Sequence, residues 1–159
     1  MVNYSDSIRG IENIIETVNS QITKPTVVIG HSLGGIIGIN LLKNPNVKKV
    51  ITISSPINGL WFGFMVQMIL ARQTFITELK PSGTVIRTAK SLVDAHPDKI
   101  TSIVTTKGLS PYIMEDNDGV LTVASQDYGN QNKYFIPANH HEILQIDRTV
   151  QIIKLTLAE

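Results

Sequence analysis

The sequence contains no cysteine among its 159 residues. That absence excludes disulfide bonds, thiolate metal sites and a cysteine nucleophile, and it leaves the redox compartment undetermined. An excess of one charge is also missing, because 14 lysines and arginines against 13 aspartates and glutamates leave a formal net charge of +1. With neither a basic stripe nor a phosphate-binding loop, this balance predicts no nucleic-acid partner.

A long hydrophobic run is absent as well. The most apolar stretch, residues 59–71, is too short to cross a bilayer. The N-terminus shows no basic start followed by an apolar segment, so no signal peptide is predicted and a cytoplasmic chain is expected by default. The length and the 42% hydrophobic content predict one domain over residues 1–159.

Strand-like and helix-like stretches alternate along the chain. Strands are predicted at 25–30, 48–54, 100–106 and 132–137, and helices at 6–19, 34–43, 60–79, 84–95 and 142–157. The first helix is expected to be capped by Ser5 or Ser7. Strands that alternate with helices predict an α/β fold, a three-layer sandwich built on a mostly parallel sheet.

A serine between two glycines marks the clearest motif. Residues 30–35 read Gly-His-Ser-Leu-Gly-Gly, after an apolar strand and before an apolar helix. A sharp strand-to-helix turn of this kind presents its serine above the sheet as a nucleophile, which predicts that role for Ser32. Gly30 and Gly34 are expected to leave room for the neighbouring backbones.

A serine nucleophile needs a histidine base and a carboxylate that orients the base. His31 lies inside the motif, where packing or pocket shaping is the expected role, and His96 lies in a polar loop. His140 and His141 stand between the last predicted strand and the last predicted helix. Either of these two residues suits a base at the end of the sheet.

Three segments resemble lipases and esterases of the α/β-hydrolase superfamily. Residues 30–35 match the nucleophile elbow, the His-His-Glu-Ile-Leu of 140–144 matches the segment that carries the base, and the Asn-Asp-Gly-Val of 117–120 matches the one that carries the acid. The resemblance implies the triad Ser32, Asp118 and His140, with Asp116 and His141 as alternatives to the last two. It also implies the backbone N–H of Leu33 as an oxyanion-hole donor.

The implied activity is hydrolysis of carboxylic esters through an acyl-enzyme, without a metal or an organic cofactor. The alternatives are an acyltransferase or thioesterase that uses the same triad, and a catalytically silent hydrolase-like binding protein. The resemblance further implies the C-terminal half of the hydrolase fold and a truncated N-terminus. The strand at 25–30 would then have an open edge. The alternatives to a truncated chain are a minimal form that makes a homodimer through this edge, and a second polypeptide that supplies the missing strands.

The apolar stretch 59–71 belongs to a segment, 59–80, that is predicted to be a lid. An apolar lid beside Ser32 would form a wall for the acyl chain of a small-molecule ester or lipid substrate. The same apolar surface favours contact with a lipid–water interface. The alternative for the same stretch is a helix buried in the core.

Overall fold

Four parallel strands in the order β1-β2-β3-β4 form the sheet of this chain. The computed structural model describes residues 10–60, 78–111, 113–129 and 132–158. The strands are β1 (Thr26–His31), β2 (Val47–Ile53), β3 (Ile100–Thr105) and β4 (Asn132–Ile136). The helices are α1 (Ile11–Asn19), α2 (Leu33–Asn40), α3 (Thr84–Ala95), α4 (Val123–Gln126) and α5 (Asp147–Ala158).

Helices cover both faces of this sheet, which confirms the predicted α/β class. On β2, Val50 packs into the core shared with α1, α2 and α3, whereas Ile51 packs into a second core shared with α5. Successive side chains of a strand point to opposite faces, so the central strands must be apolar on both sides. The buried apolar pairs Val50–Ile51 of β2 and Ile103–Val104 of β3 follow from that double burial.

The strand predictions agree with the structure to within one residue at each end, but two helices differ. The first helix begins at Ile11 with Gly10 at its N-cap, and the Ile11 N–H donates to Glu78 Oε2 at 2.9 Å. The predicted caps, Ser5 and Ser7, lie outside the described residues. The carboxylate that reaches the N-terminus of this helix thus comes from a distant part of the chain, where no local pattern indicates it.

The predicted helix at 142–157 is divided in two. A 3-10 turn covers Glu142–Gln145, and α5 begins only at Asp147. Thr149 explains the break, because its hydroxyl donates to the carbonyl of Ile143 at 2.8 Å. This side-chain bond satisfies a carbonyl at the end of the turn that precedes α5.

The first strand lies at one edge of the described sheet. Its Ile29 side chain is 48% exposed, although the strand is apolar in sequence. The prediction that this edge pairs with a second copy of the chain stays a prediction.

Most of the predicted lid, residues 61–77, lies outside the described residues. The two ends of the segment are close together, since the Leu60 N–H donates to the carbonyl of Leu79 at 2.8 Å.

Candidate active site

The turn between β1 and α2 holds Ser32 in a backbone conformation that non-glycine residues rarely adopt. Its φ is 54° and its ψ is −122°, and its N–H donates to the carbonyl of Ile53 at 2.8 Å. A positive φ at a serine costs free energy, which the neighbouring strand and helix must offset. A side chain at Gly30 is excluded, because its Cβ would lie 2.2 Å from the carbonyl oxygen of Gly34.

The structure corrects the expectation for Gly34. A Cβ at that position would meet no atom within 4 Å outside its own turn. The close approach occurs one residue later, because a Cβ at Gly35 would lie 2.0 Å from Ser55 Oγ and 2.7 Å from Ser55 Cβ. The second glycine that the turn needs for packing is therefore Gly35, which brings α2 against the end of β2.

Leu33 is the first residue of α2, directly after Ser32. Its backbone N–H donates no hydrogen bond to any other residue within the described ranges. The first N–H groups of a helix lack partners inside the helix, and together with the helix dipole they favour negative charge. The geometry thus leaves this N–H available for an anionic oxygen above Ser32.

Asp118 and His140 are bonded to each other in the interior. Only 1% of Asp118 and 3% of His140 is exposed, and His140 Nδ1 lies 2.9 Å from Asp118 Oδ2. A second bond links their backbones, because the His140 N–H donates to the carbonyl of Asp118 at 2.9 Å. Asp118 Oδ1 accepts from the N–H groups of Val120 at 3.0 Å and Leu121 at 2.6 Å.

These bonds determine the charge of Asp118. Burial alone would raise its pKa, but the hydrogen bonds from His140, the Leu121 N–H and the Thr105 hydroxyl outweigh burial and hold the pKa below its usual value. The carboxylate is therefore ionised at neutral pH, and it orients the His140 ring with Nδ1–H toward it. Nε2 of that ring is left to interact elsewhere.

His31 joins the serine turn to the loop that carries His140. Its Nε2 lies 2.8 Å from the carbonyl oxygen of His140, and the two ring centroids are 4.7 Å apart. Since a carbonyl only accepts, Nε2 of His31 carries a hydrogen. Burial, the largest effect, lowers the pKa of His31, so its ring is neutral at neutral pH. The residue directly before Ser32 thus contacts the candidate base.

His31, the residue before Ser32, contacts the His140 loop, but no hydrogen bond joins Ser32 itself to His140 among the described residues. The hydrogen bonds among the described residues include none between Ser32 Oγ and His140 Nε2. In structures without a substrate such bonds are often long, and they shorten only when the substrate binds.

The side chains of the alternative residues are not hydrogen-bonded into this arrangement in the described part of the chain, although the His141 ring centroid lies 5.2 Å from that of His140. His141 is exposed, and its backbone N–H donates to Asn139 Oδ1 at 3.0 Å. Asp116 is also exposed, and its carbonyl accepts from the Val123 N–H at 2.8 Å. His96 follows the last residue of α3. None of the three side chains is bonded to Asp118 or Ser32 within the part of the chain that is described.

Sequence reasoning missed three residues that hold the acid in place. Thr105 Oγ1 and Gln126 Nε2 both contact Asp118 Oδ2, and a Cβ at Gly108 would lie 1.9 Å from the carbonyl carbon of Asp118. Thr105 ends β3, and the carboxyl ends of parallel strands meet at one edge, which is where open α/β sheets bind ligands. That rule was a usable signal for Thr105, whereas no local pattern distinguishes Gln126 or Gly108.

The described part of the chain holds no candidate metal site and no candidate membrane-spanning helix. Within residues 10–60, 78–111, 113–129 and 132–158, no cluster of His, Asp or Glu side chains has the arrangement of a metal site. No helix in those ranges has the length and hydrophobicity that crossing a membrane requires.

Solved structures with a similar fold include two lipases and a hydrolase. The mature lipase BlEst2 of Bacillus licheniformis has a TM-score of 0.63 at 16% identity, over 91% of this chain and 70% of that one. A hydrolase from Pseudomonas aeruginosa has a TM-score of 0.54 at 12% identity, over 94% of this chain and 71% of that one. The monoacylglycerol lipase of Paleococcus ferrophilus has a TM-score of 0.51 at 12% identity, over 94% and 76%.

These similarities show the fold. The chain shares its α/β fold, a parallel sheet covered by helices on both faces, with these lipases and this hydrolase. No protein-family model and no curated protein matches its sequence. What the fold does in this chain has to be argued from the site.

Proposed function

We propose that this protein is a serine hydrolase that cleaves carboxylic esters with a hydrophobic acyl chain. The observation that carries the proposal is the buried hydrogen bond between Asp118 and His140, 2.9 Å long, in a loop that contacts the residue next to Ser32. A strained serine after a strand, a histidine and an ionised carboxylate are the three groups that acyl transfer requires. The fold shared with lipases and other hydrolases supports the same class.

In the proposed reaction Ser32 Oγ forms a bond to the ester carbonyl carbon while His140 Nε2 takes the hydroxyl proton. The oxyanion receives a hydrogen bond from the Leu33 N–H, and Asp118 stabilises the imidazolium. The carbon–oxygen bond to the alcohol then breaks, and the alcohol leaves with the proton from His140. Water, activated by the same imidazole, attacks the acyl-enzyme, which releases the acid and restores Ser32.

His140 is the better candidate for the base because its two ring nitrogens have distinct partners available. Nδ1 is held by Asp118, and Nε2 is free of any bond to the described residues. His141 is exposed and has no carboxylate at its ring among the described contacts. This difference supports His140 rather than His141 as the base, and it makes His141→Ala the control for His140→Ala.

The first test compares Ser32→Ala with the unaltered chain on p-nitrophenyl butyrate and palmitate, together with labelling by a fluorophosphonate probe. We expect Ser32→Ala to abolish labelling and to lower turnover roughly a thousandfold or more. His140→Ala should lose activity to a similar degree, whereas His141→Ala should retain most of it.

Three outcomes would contradict the proposal. Labelling that persists in Ser32→Ala removes Ser32 from the mechanism, and equal loss in the two histidine variants removes the distinction between them. A folded, unaltered chain that neither reacts with the probe nor hydrolyses either ester supports a silent binding protein instead.

A further inference from the structure

The oxygen of Asp118 that faces His140 has two further partners. Oδ2 lies 2.9 Å from His140 Nδ1, 2.5 Å from Thr105 Oγ1 and 3.2 Å from Gln126 Nε2. All of these groups are buried. A buried carboxylate oxygen with three donors has almost no freedom to rotate, because each donor would be left unpaired.

The direction of the Thr105 bond follows from counting hydrogens. Thr105 Oγ1 also lies 2.9 Å from Ser54 Oγ and 3.0 Å from Gln126 Oε1, but a hydroxyl has one hydrogen to donate. An ionised carboxylate has none, so at 2.5 Å the Thr105 hydrogen must point to Asp118 Oδ2. Ser54, which is fully buried, then donates to Thr105. The two hydroxyls form a chain that ends on the carboxylate, and such chains strengthen each bond in them.

Gln126 ties the same strand end to the acid loop. Its Oε1 accepts from the Thr105 N–H at 3.0 Å, and its Nε2 donates to the carbonyl of Thr105 at 3.2 Å. The amide is oriented by this pattern, because only its nitrogen can donate to both the carbonyl and Asp118. Gln126 therefore fixes the distance between the end of β3 and Asp118.

We propose that Thr105, supported by Gln126, is a positioning residue that sets the orientation of Asp118 and, through it, of His140. The inference rests on the proposed function, since positioning matters only where His140 acts as a base. Thr105 touches no reacting atom, and its effect passes through the carboxylate alone.

The groups that face His140 are few. His31 lies on one side, with ring centroids 4.7 Å apart, His141 lies on another at 5.2 Å, and Asp118 is the anion at Nδ1. If the Thr105 hydroxyl is removed, Asp118 Oδ2 loses one hydrogen-bond donor. The negative charge of the carboxylate is then less neutralised, and it attracts the His140 Nδ1–H more strongly. The protonated ring is then favoured.

The test uses Thr105→Val, which keeps the shape of the side chain, and Thr105→Ser, which keeps the hydroxyl. We plot kcat/KM against pH and expect the acidic limb for Thr105→Val to move to higher pH by about half a unit, with KM unchanged. That shift is a roughly threefold change in the proton concentration at the midpoint of the limb. Thr105→Ser should restore the original limb. Gln126→Met, which removes the other donor, should move the limb in the same direction and serves if Thr105→Val does not fold.

A second readout does not depend on activity. In the Ser32→Ala background, the low-field proton resonance of the His140 Nδ1–H should move further downfield in Thr105→Val and return in Thr105→Ser. If this resonance moves but the chain with Ser32 intact shows no esterase activity, the positioning role is supported and the proposed function is overturned. An active esterase in which neither the limb nor the resonance moves overturns the positioning role, even if the melting temperature falls.

Discussion

His31 precedes Ser32 in the chain, and its ring supports the loop that carries the candidate base. Sequence analysis predicted a packing or pocket-shaping role for it, and the partner is the carbonyl of His140, 2.8 Å from Nε2. A partner 109 residues away is invisible in the sequence, because the contact depends on how β4 and its loop return to the end of β1. The same reason hides Gln126.

The neutral state of His31 predicts a loss of stability in acid. Burial lowers the pKa of His31 in the folded protein, so as pH falls through about 6.5 the unfolded chain takes up a proton that the folded one does not. The stabilisation from this residue is therefore present above that pH and is lost below it. In His31→Gln, an uncharged donor replaces the ring, and this dependence should vanish.

Urea unfolding of the two proteins at a series of pH values between about 8 and 5 checks this prediction. We expect the free energy of unfolding of the unaltered chain to fall, relative to that of His31→Gln, as pH drops below about 6.5. A constant difference between the two proteins across the range contradicts it.

At the scale of elements, the serine turn and its neighbours could be recognised from the sequence, but the packing inside the turn could not. The spacing of glycines around Ser32 indicates a sharp turn whichever glycine makes the contact. Only the approach of α2 to the end of β2 assigns the close contact to Gly35, where Ser55 leaves no room for a Cβ. Likewise, the acid loop was recognised as a loop, whereas its short helix α4 and the Gln126 that it carries were not.

Adjacent glycines in α2 should therefore respond to alanine in opposite ways. Gly34→Ala adds a side chain in open space within a helix, so we expect the free energy of unfolding to rise by about 0.5–1 kcal/mol. Gly35→Ala forces its Cβ onto Ser55, and we expect a fall of about 1–3 kcal/mol.

Denaturant unfolding of both variants measures the difference. Ser55→Gly removes the atoms that the new Cβ would meet, so Gly35→Ala combined with Ser55→Gly should recover part of the loss that Gly35→Ala causes alone. Equal effects at the two glycines would show that the close contact is misassigned.

At the scale of the whole molecule, the sheet separates two hydrophobic cores. Ile86 on α3 belongs to one core and Ile152 on α5 to the other, and both are fully buried. The strands between them contribute side chains to both faces, so neither core can form without the sheet. We therefore expect both cores to unfold in one transition.

Substitutions in each core test this coupling. Ile86→Ala and Ile152→Ala should each lower the free energy of unfolding by about 2–5 kcal/mol and shift a single transition. Far-ultraviolet and near-ultraviolet circular dichroism should give coincident curves for both variants. Separate transitions in either variant would show that the two faces of the sheet unfold independently.

The sequence by itself determined the class of fold, the boundaries of the strands and the turn that holds Ser32. These features depend on local patterns: apolar runs of strand length, the spacing of glycines, and the alternation of strands with helices. The tertiary structure alone decided that Asp118 and His140 are bonded, that Gly35 rather than Gly34 is the tightly packed glycine, and that Thr105 and Gln126 contact Asp118. Those contacts join residues from different segments of the chain. Their distances depend on how the parallel strands align at one edge of the sheet, and no single segment of the chain encodes that alignment.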